Sequence, residues 1–277
     1  MQTFAKSHSL VVFFALTFII TWSLWGLIIL ANLPLAAGYV PFVLAATGPS
    51  LSGLLVSALL GGRGAVKALL ARVVLWRAGL KWYAVAILTP LGLALGGLCL
   101  YVALGHPWPA FTMLGKWYLI PLVFLQVLLL GGPLEEELGW RGFALPALQA
   151  RHSALASSLI LGVMWAVWHL PAYLIPWSSQ HLPLVPYLLH FAALSVLITW
   201  VYNNTRGSLL LVLLFHTSIN VFTAFLPVIP SAAGSELPLD LMVALLYGAA
   251  AAVLALFGAA RLVRGGRSAQ PQLAAAE

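Results

Sequence analysis

The sequence predicts an all-α fold: a polytopic transmembrane bundle of about eight helices with a polar cavity inside the membrane. Three observations predict it. Hydrophobic residues make up 62% of the 277 positions, charged residues 7%, and the mean hydropathy is +1.03, whereas soluble domains carry roughly 25% charged residues. Apolar runs suited to the ~20 helical residues that cross a ~30 Å hydrocarbon core recur near 9–31, 40–61, 82–104, 117–143, 155–175, 185–203, 208–228 and 239–262. The few ionisable residues inside these runs are concentrated, three of the six acidic residues being Glu135, Glu136 and Glu137. An ionisable group in hydrocarbon is costly unless it is paired, solvated or facing a cavity, so such a cluster marks a candidate working site.

Each element follows in turn. The run from Leu10 to Ala31 is longer than the ~7–15-residue core of a secretory signal, and no cleavage pattern follows it, so it is read as a retained first helix. Turn-rich breaks separate the later runs at Leu33-Pro34, at Gly105-His106-Pro107-Trp108-Pro109 and from Pro227 to Pro238. Between the second and third runs, Arg63 to Lys81 spaces its cations among Leu, Val and Trp. That pattern suits an interfacial helix on an anionic lipid surface and equally a solvated loop. Within the fourth run, Gly131-Gly132-Pro133 predicts a kink, with a second helical piece starting near Leu134 and swinging Glu136 towards a water-filled cavity. There is no internal repeat. The expected organisation is one membrane domain over 1–263, with its motif core at 133–220, and a flexible cytoplasmic tail at 264–277.

The net charge of +7 is a matter of topology. With the amino terminus inside, Lys6, Arg63, Lys67, Arg72, Arg77, Lys81, Arg141, Arg151, Arg206, Arg261, Arg264 and Arg267 fall on the inner side and only Lys116 on the outer. Eight spans with both termini cytoplasmic satisfy the positive-inside rule; an odd number does not. The location expected is an integral, multi-pass membrane one, the inner or plasma membrane if the source is bacterial. Basic residues beside apolar spans, rather than on a soluble face, exclude nucleic acid as a partner and leave membrane lipid. The single cysteine, Cys99, excludes an intramolecular disulfide and a cysteine-rich zinc site.

Three apolar segments each carry a polar spot: Glu136, Glu137 and Arg141 in LEEELGWRGF, Trp165 and His169 in MWAVWHLP, His216 and Asn220 in LLFHTSIN. Residues four apart share a helix face, so each segment presents its pair together. A carboxylate near a neutral imidazole suits proton abstraction from water, and a second His with an Asn offers donors to an oxyanion. These are the parts of amide hydrolysis. Glu137 with Arg141 reads better as a buried ion pair in structural support. His8, His106, His152, His181 and His190 lie near ends, loops or span edges without acidic partners and receive no role. Ser178, Ser195, Ser208 and Ser218 lack a Gly-x-Ser-x-Gly setting or a Lys partner, and there is no HExxH pair.

The ordered set EE-x-x-x-R, aromatic-x-x-x-His and His-x-x-x-Asn, with GWRGF and WHLP as local wording, resembles the CAAX prenyl protease and bacteriocin-processing (CPBP, Abi) family of intramembrane proteases, bacterial type. The resemblance implies an intramembrane endopeptidase that hydrolyses a peptide bond of a membrane-anchored or amphiphilic substrate, such as a prenylated CAAX-type protein. It implies that Glu136 and His169 activate the water, that His216 and Asn220 stabilise the oxyanion, and that Glu137, Arg141 and Trp165 give structural support. Trp165 stands where the family usually has Phe, a change expected to alter pocket volume more than chemistry. No cofactor is favoured; the alternative is Zn²⁺ held by Glu136, His169 and His216, since catalytic zinc takes three protein ligands and an open site. Two other readings are a non-catalytic membrane immunity or scaffold protein and a small transporter; the absence of inverted repeats speaks against a transporter.

Overall fold

In lipid a backbone must satisfy its own N–H and C=O groups, and helices do so within a single segment. The computed structural model, which describes residues 8–178 and 183–263, is accordingly helical in all its regular elements. These are α1 (Ser9–Leu30), α2 (Leu35–Ala46), α3 (Gly48–Ala71), α4 (Leu80–Ala103), α5 (Ile120–Leu130), α6 (Pro133–Gly139), α7 (Leu145–Gln149), α8 (Ala154–Trp168), α9 (Leu170–Tyr173), α10 (Leu184–Asn204), α11 (Leu209–Phe225), α12 (Pro230–Ala233) and α13 (Leu237–Phe257). Lys6, His181 and the predicted tail at 264–277 lie outside the described residues.

Six helices are long and apolar enough to cross a membrane, and the pair Gly115–Leu130 and Pro133–Gln149, bent by 42°, makes a seventh span. The fifth predicted segment, 155–175, stops short. Helix α8 has 15 residues, about 22 Å at ~1.5 Å per residue, because the His169 imidazole turns back to cap it and Pro171 follows. Eight is therefore an approximate count, and the protein is an integral membrane protein by its six or seven spans.

Helices α10 and α11 are the most enclosed of the six and α1 the least. α10 packs between α8 and α13, α11 lies against α4, α5 and α6, and α3 packs on α1 and α6. Helices in lipid gain by close van der Waals approach, and α3 meets α6 backbone to backbone: a Cβ on Gly139 would run into the Pro49 carbonyl. One end of the bundle gathers the basic loops. Arg206 Nη2 donates to the Arg77 carbonyl, Ser208 Oγ to Leu75 O at 2.6 Å, Asn204 Nδ2 to Leu262 O at 2.7 Å, and Ala154 N to Ala260 O at 2.8 Å.

Candidate active site

The site begins at the predicted break between α5 and α6. Gly132 adopts φ 109°, a left-handed backbone that side chains rarely tolerate, and a Cβ there would lie 2.6 Å from Glu136 Oε1. Glycine is needed twice over, for the turn and for the room it leaves the carboxylate. Pro133 starts α6 without needing a backbone donor, and Glu135 Oε2 accepts from Gly132 N at 3.1 Å, closing the first turn. The break thus exists because Gly-Gly-Pro cannot continue the α5 hydrogen-bond ladder, and Glu136, in the first turn after it, is buried.

Glu136 and Glu137 then diverge. Glu136 Oε2 accepts the indole N–H of Trp165 at 2.6 Å, and Glu136 lines a cavity of about 240 Å³ together with His169, Gly131 and Gly132. The rest of that wall is mainly apolar and aromatic, including Trp25, Phe42 and Trp168, with Gln126 and Tyr39 adding polarity. Glu137, fully buried, has one oxygen shared by two donors: Oε1 lies 2.8 Å from Arg141 Nη1 and 2.8 Å from His216 Nδ1. The Arg141 guanidinium lies over the Trp165 ring, 4.4 Å from its centroid, so one tryptophan touches both glutamate systems.

A π-helical turn at Trp140–Ala144 interrupts the segment immediately after the acidic residues. Such single-turn bulges re-aim side chains and recur at functional sites. Its buried Trp140 packs edge-on against Phe13, with centroids 5.6 Å apart, and against Trp168 at 5.9 Å, pinning α6 to α1 and α8.

His169 has a fixed tautomer. Its Nδ1 lies 3.0 Å from the Trp165 carbonyl, which can only accept, so Nδ1 carries the proton and Nε2 keeps its lone pair. Phe191 stacks on the imidazole at 4.7 Å, and Trp168 meets it edge-on at 4.5 Å. Asn220 Nδ2 donates to Gly131 O at 3.4 Å, which ties α11 to the broken span at the edge of the cavity.

Six of the seven residues singled out from the sequence are therefore linked in one network, and Asn220 stands beside it on Gly131 O; His216 and Asn220 are not on the cavity wall. Trp165 departs from expectation. It does more than fill volume, because its indole N–H donates to the Glu136 carboxylate, a bond that phenylalanine cannot make. His190, set aside as a span-edge residue, comes close: its ring lies 4.1 Å from Phe191, the ring that stacks on His169. Trp25, Trp168 and Phe191 were also missed, since an aromatic residue on an apolar helix carries no sequence mark of what it faces.

Among the described residues no three His, Cys, Asp or Glu side chains are grouped closely enough to hold a metal ion. Glu136, His169 and His216 do not converge as a zinc ligand set in this arrangement: His216 Nδ1 is turned to Glu137, and Glu136 to Trp165.

Residues 117–222 match the model of the type II CAAX prenyl endopeptidase Rce1-like family. Over that segment the chain is similar to the Rce1-like family. The segment contains the broken span, the π turn and every residue of the network. The CAAX prenyl protease 2 of Methanococcus maripaludis is 32% identical over 109 residues, 37% of this chain and 39% of that relative. The alignment thus spans about two fifths of the relative's length. The family match falls on the Glu136–Glu137–Arg141, Trp165–His169 and His216–Asn220 segments, whereas α1 to α4 and α13 lie outside it.

Proposed function

We propose that this protein is an intramembrane endopeptidase that cleaves a membrane-anchored or amphiphilic peptide, of which a prenylated CAAX-type protein is the example the family suggests. The observation that carries the reading is the shared cavity of Glu136 and His169, in which a carboxylate and an imidazole with a free Nε2 line the same space, roomy enough for water. Glu136 and His169 take the proton of the attacking water, a role worth on the order of 10²–10⁴-fold. His216 and Asn220 stabilise the oxyanion. With Nδ1 on Glu137, His216 offers a donor at Nε2 only as an imidazolium, and the Glu137 carboxylate is the counterion for that form. Glu137, Arg141 and Trp165 position these groups without touching substrate.

The Glu136–Trp165 and Glu137–His216 pairings support a mechanism that needs no bound metal. Both termini and the basic end of the bundle are assigned to the cytoplasm on the positive-inside rule. Cleavage of membrane-anchored peptides by the full chain in liposomes, compared with Glu136→Ala and repeated with a strong chelator, tests the base and the metal-free mechanism. Activity lost in Glu136→Ala and kept in chelator supports the proposal. Activity lost in chelator and restored by zinc overturns the metal-free mechanism, and activity kept in Glu136→Ala overturns the assignment of the base.

A further inference from the structure

Helix α3 breaks at Gly61 (φ −141°, ψ 18°) and Gly62 (φ 60°, ψ −152°), where its apolar spanning part ends. Beyond the break the chain remains helical to Ala71 and adds one tight turn, Arg72–Val74. Arg63, Val66, Lys67, Leu70, Ala71 and Val74 recur at helical spacing along one face. With Ala58 and Gly62 they line an open groove of about 690 Å³. The cations stand at its start and the apolar side chains at its far end, with Leu70 and Val74 exposed. Among the described residues, Arg63 and Lys67 have no acidic partner; the ion pairs there are those of Glu137. The next residues are of a kind that settles at a membrane boundary: Trp76 is exposed, and Arg77 lies over its ring at 5.2 Å.

The opposite face of the same segment belongs to the protein. Leu69 is buried and fills the notch left by Gly142, where a Cβ would lie 2.5 Å from its Cδ1. Arg72 Nη1 donates to Gly142 O at 3.1 Å and to the Tyr202 hydroxyl at 3.0 Å. Gly142 is in the π turn, beside Arg141. The segment is therefore a two-faced strut, braced inward on the network that holds Glu137 and open outward with two cations above an apolar trough.

We propose that this groove is a binding site for one anionic phospholipid, with its phosphate on Arg63 and Lys67 and an acyl chain along Val66, Leu70 and Val74. Charge complementarity selects the occupant: a peptide or second copy docking by apolar contact would leave two cations facing it, whereas an anionic lipid matches both ends of the groove. The site is independent of the proposed catalytic reaction. A bound lipid also holds the strut against the π turn.

The test uses the full chain in nanodiscs of phosphatidylcholine doped with phosphatidylglycerol, with lipid retained on the protein read by native mass spectrometry. The native chain retains phosphatidylglycerol over phosphatidylcholine by about 25-fold, roughly five-fold per cation near an anionic headgroup, and its melting temperature rises with that lipid. Arg63→Gln/Lys67→Gln reduces the preference to within about two-fold and abolishes the rise, while Arg151→Gln, at the same end of the bundle, preserves both. Leu70→Ser/Val74→Ser lowers retention of both lipids and keeps the preference. An unchanged preference in Arg63→Gln/Lys67→Gln overturns the proposal. So does competition by glycerol phosphate without chains, which would mark a simple anion site, or a dimer through this face with no lipid retained.

Discussion

Glu136 and Glu137 are neighbours in the chain and serve opposite regions of the molecule. The Glu136 side is a cavity wall: the carboxylate has one indole partner, and a histidine with a free ring nitrogen lies on the same wall. The Glu137 side is sealed, with one oxygen shared by an arginine and a second histidine, both of them buried. Consecutive helix positions are separated by ~100°, so one turn of α6 feeds both regions at once. The difference teaches that the doubled glutamate is two devices, one presented to a cavity and one holding helices together.

The comparison is broken most forcefully at the sealed side. Glu137→Ala leaves a buried guanidinium uncompensated and is expected to cost about 3–5 kcal/mol of stability, read as a collapse of the thermal melting transition in detergent, whereas Glu136→Ala melts much closer to the native chain. The double change Glu137→Leu/Arg141→Met recovers much of that loss, because an apolar pair removes the uncompensated charge; equal melting of Glu136→Ala and Glu137→Ala would abolish the distinction drawn here.

Gly132→Ala attacks the cavity side through its backbone. The strained φ costs about 1–3 kcal/mol, and the Cβ displaces the Glu136 carboxylate, so peptide cleavage should fall on the order of 10²-fold for a displacement near 1 Å. A variant that cleaves normally would show that the carboxylate position is not set by this turn. Trp165→Phe is milder. It keeps the ring against His216 and Arg141 but removes the N–H on Glu136, a bond to a charged group worth about 1.5–3 kcal/mol; kcat/KM should drop by roughly 10- to 100-fold with KM little changed. Smallest is Trp22→Phe, which loses only the indole bond to Trp168 O at 3.0 Å. At ~0.6 kcal/mol for an interhelical bond in a membrane, it should lower the melting temperature slightly and leave the cleavage rate alone.

Much of this arrangement could be read from particular residues. Gly131-Gly132-Pro133 announced the break because each residue type there opposes a continuous helix, and the break occurs with α6 starting at Pro133. The Glu137–Arg141 pair followed from i,i+4 spacing, and it forms at 2.8 Å. His216 was read with Asn220 by the same spacing, yet its ring nitrogen goes to Glu137, a residue 79 positions away. Spacing along one helix says which side chains share a face, not which other helix that face meets. The same limit hid the role of Trp165, whose partner is on α6, and of Phe191, whose partner is His169.

The sequence by itself determined that the chain is a membrane-spanning helical bundle, because composition and run length decide how each segment meets hydrocarbon. It also singled out the residues that the structure gathers around Glu136 and Glu137, because ionisable groups in so apolar a chain are rare enough to stand out. Only the tertiary structure decided how they divide: that Trp165 holds Glu136, that Glu137 bridges Arg141 and His216, and that Arg72 braces the π turn from outside. Those pairings depend on helix rotation and crossing, which are set by close backbone approaches such as that of Gly139 to Pro49 and by aromatic packing summed over the whole bundle.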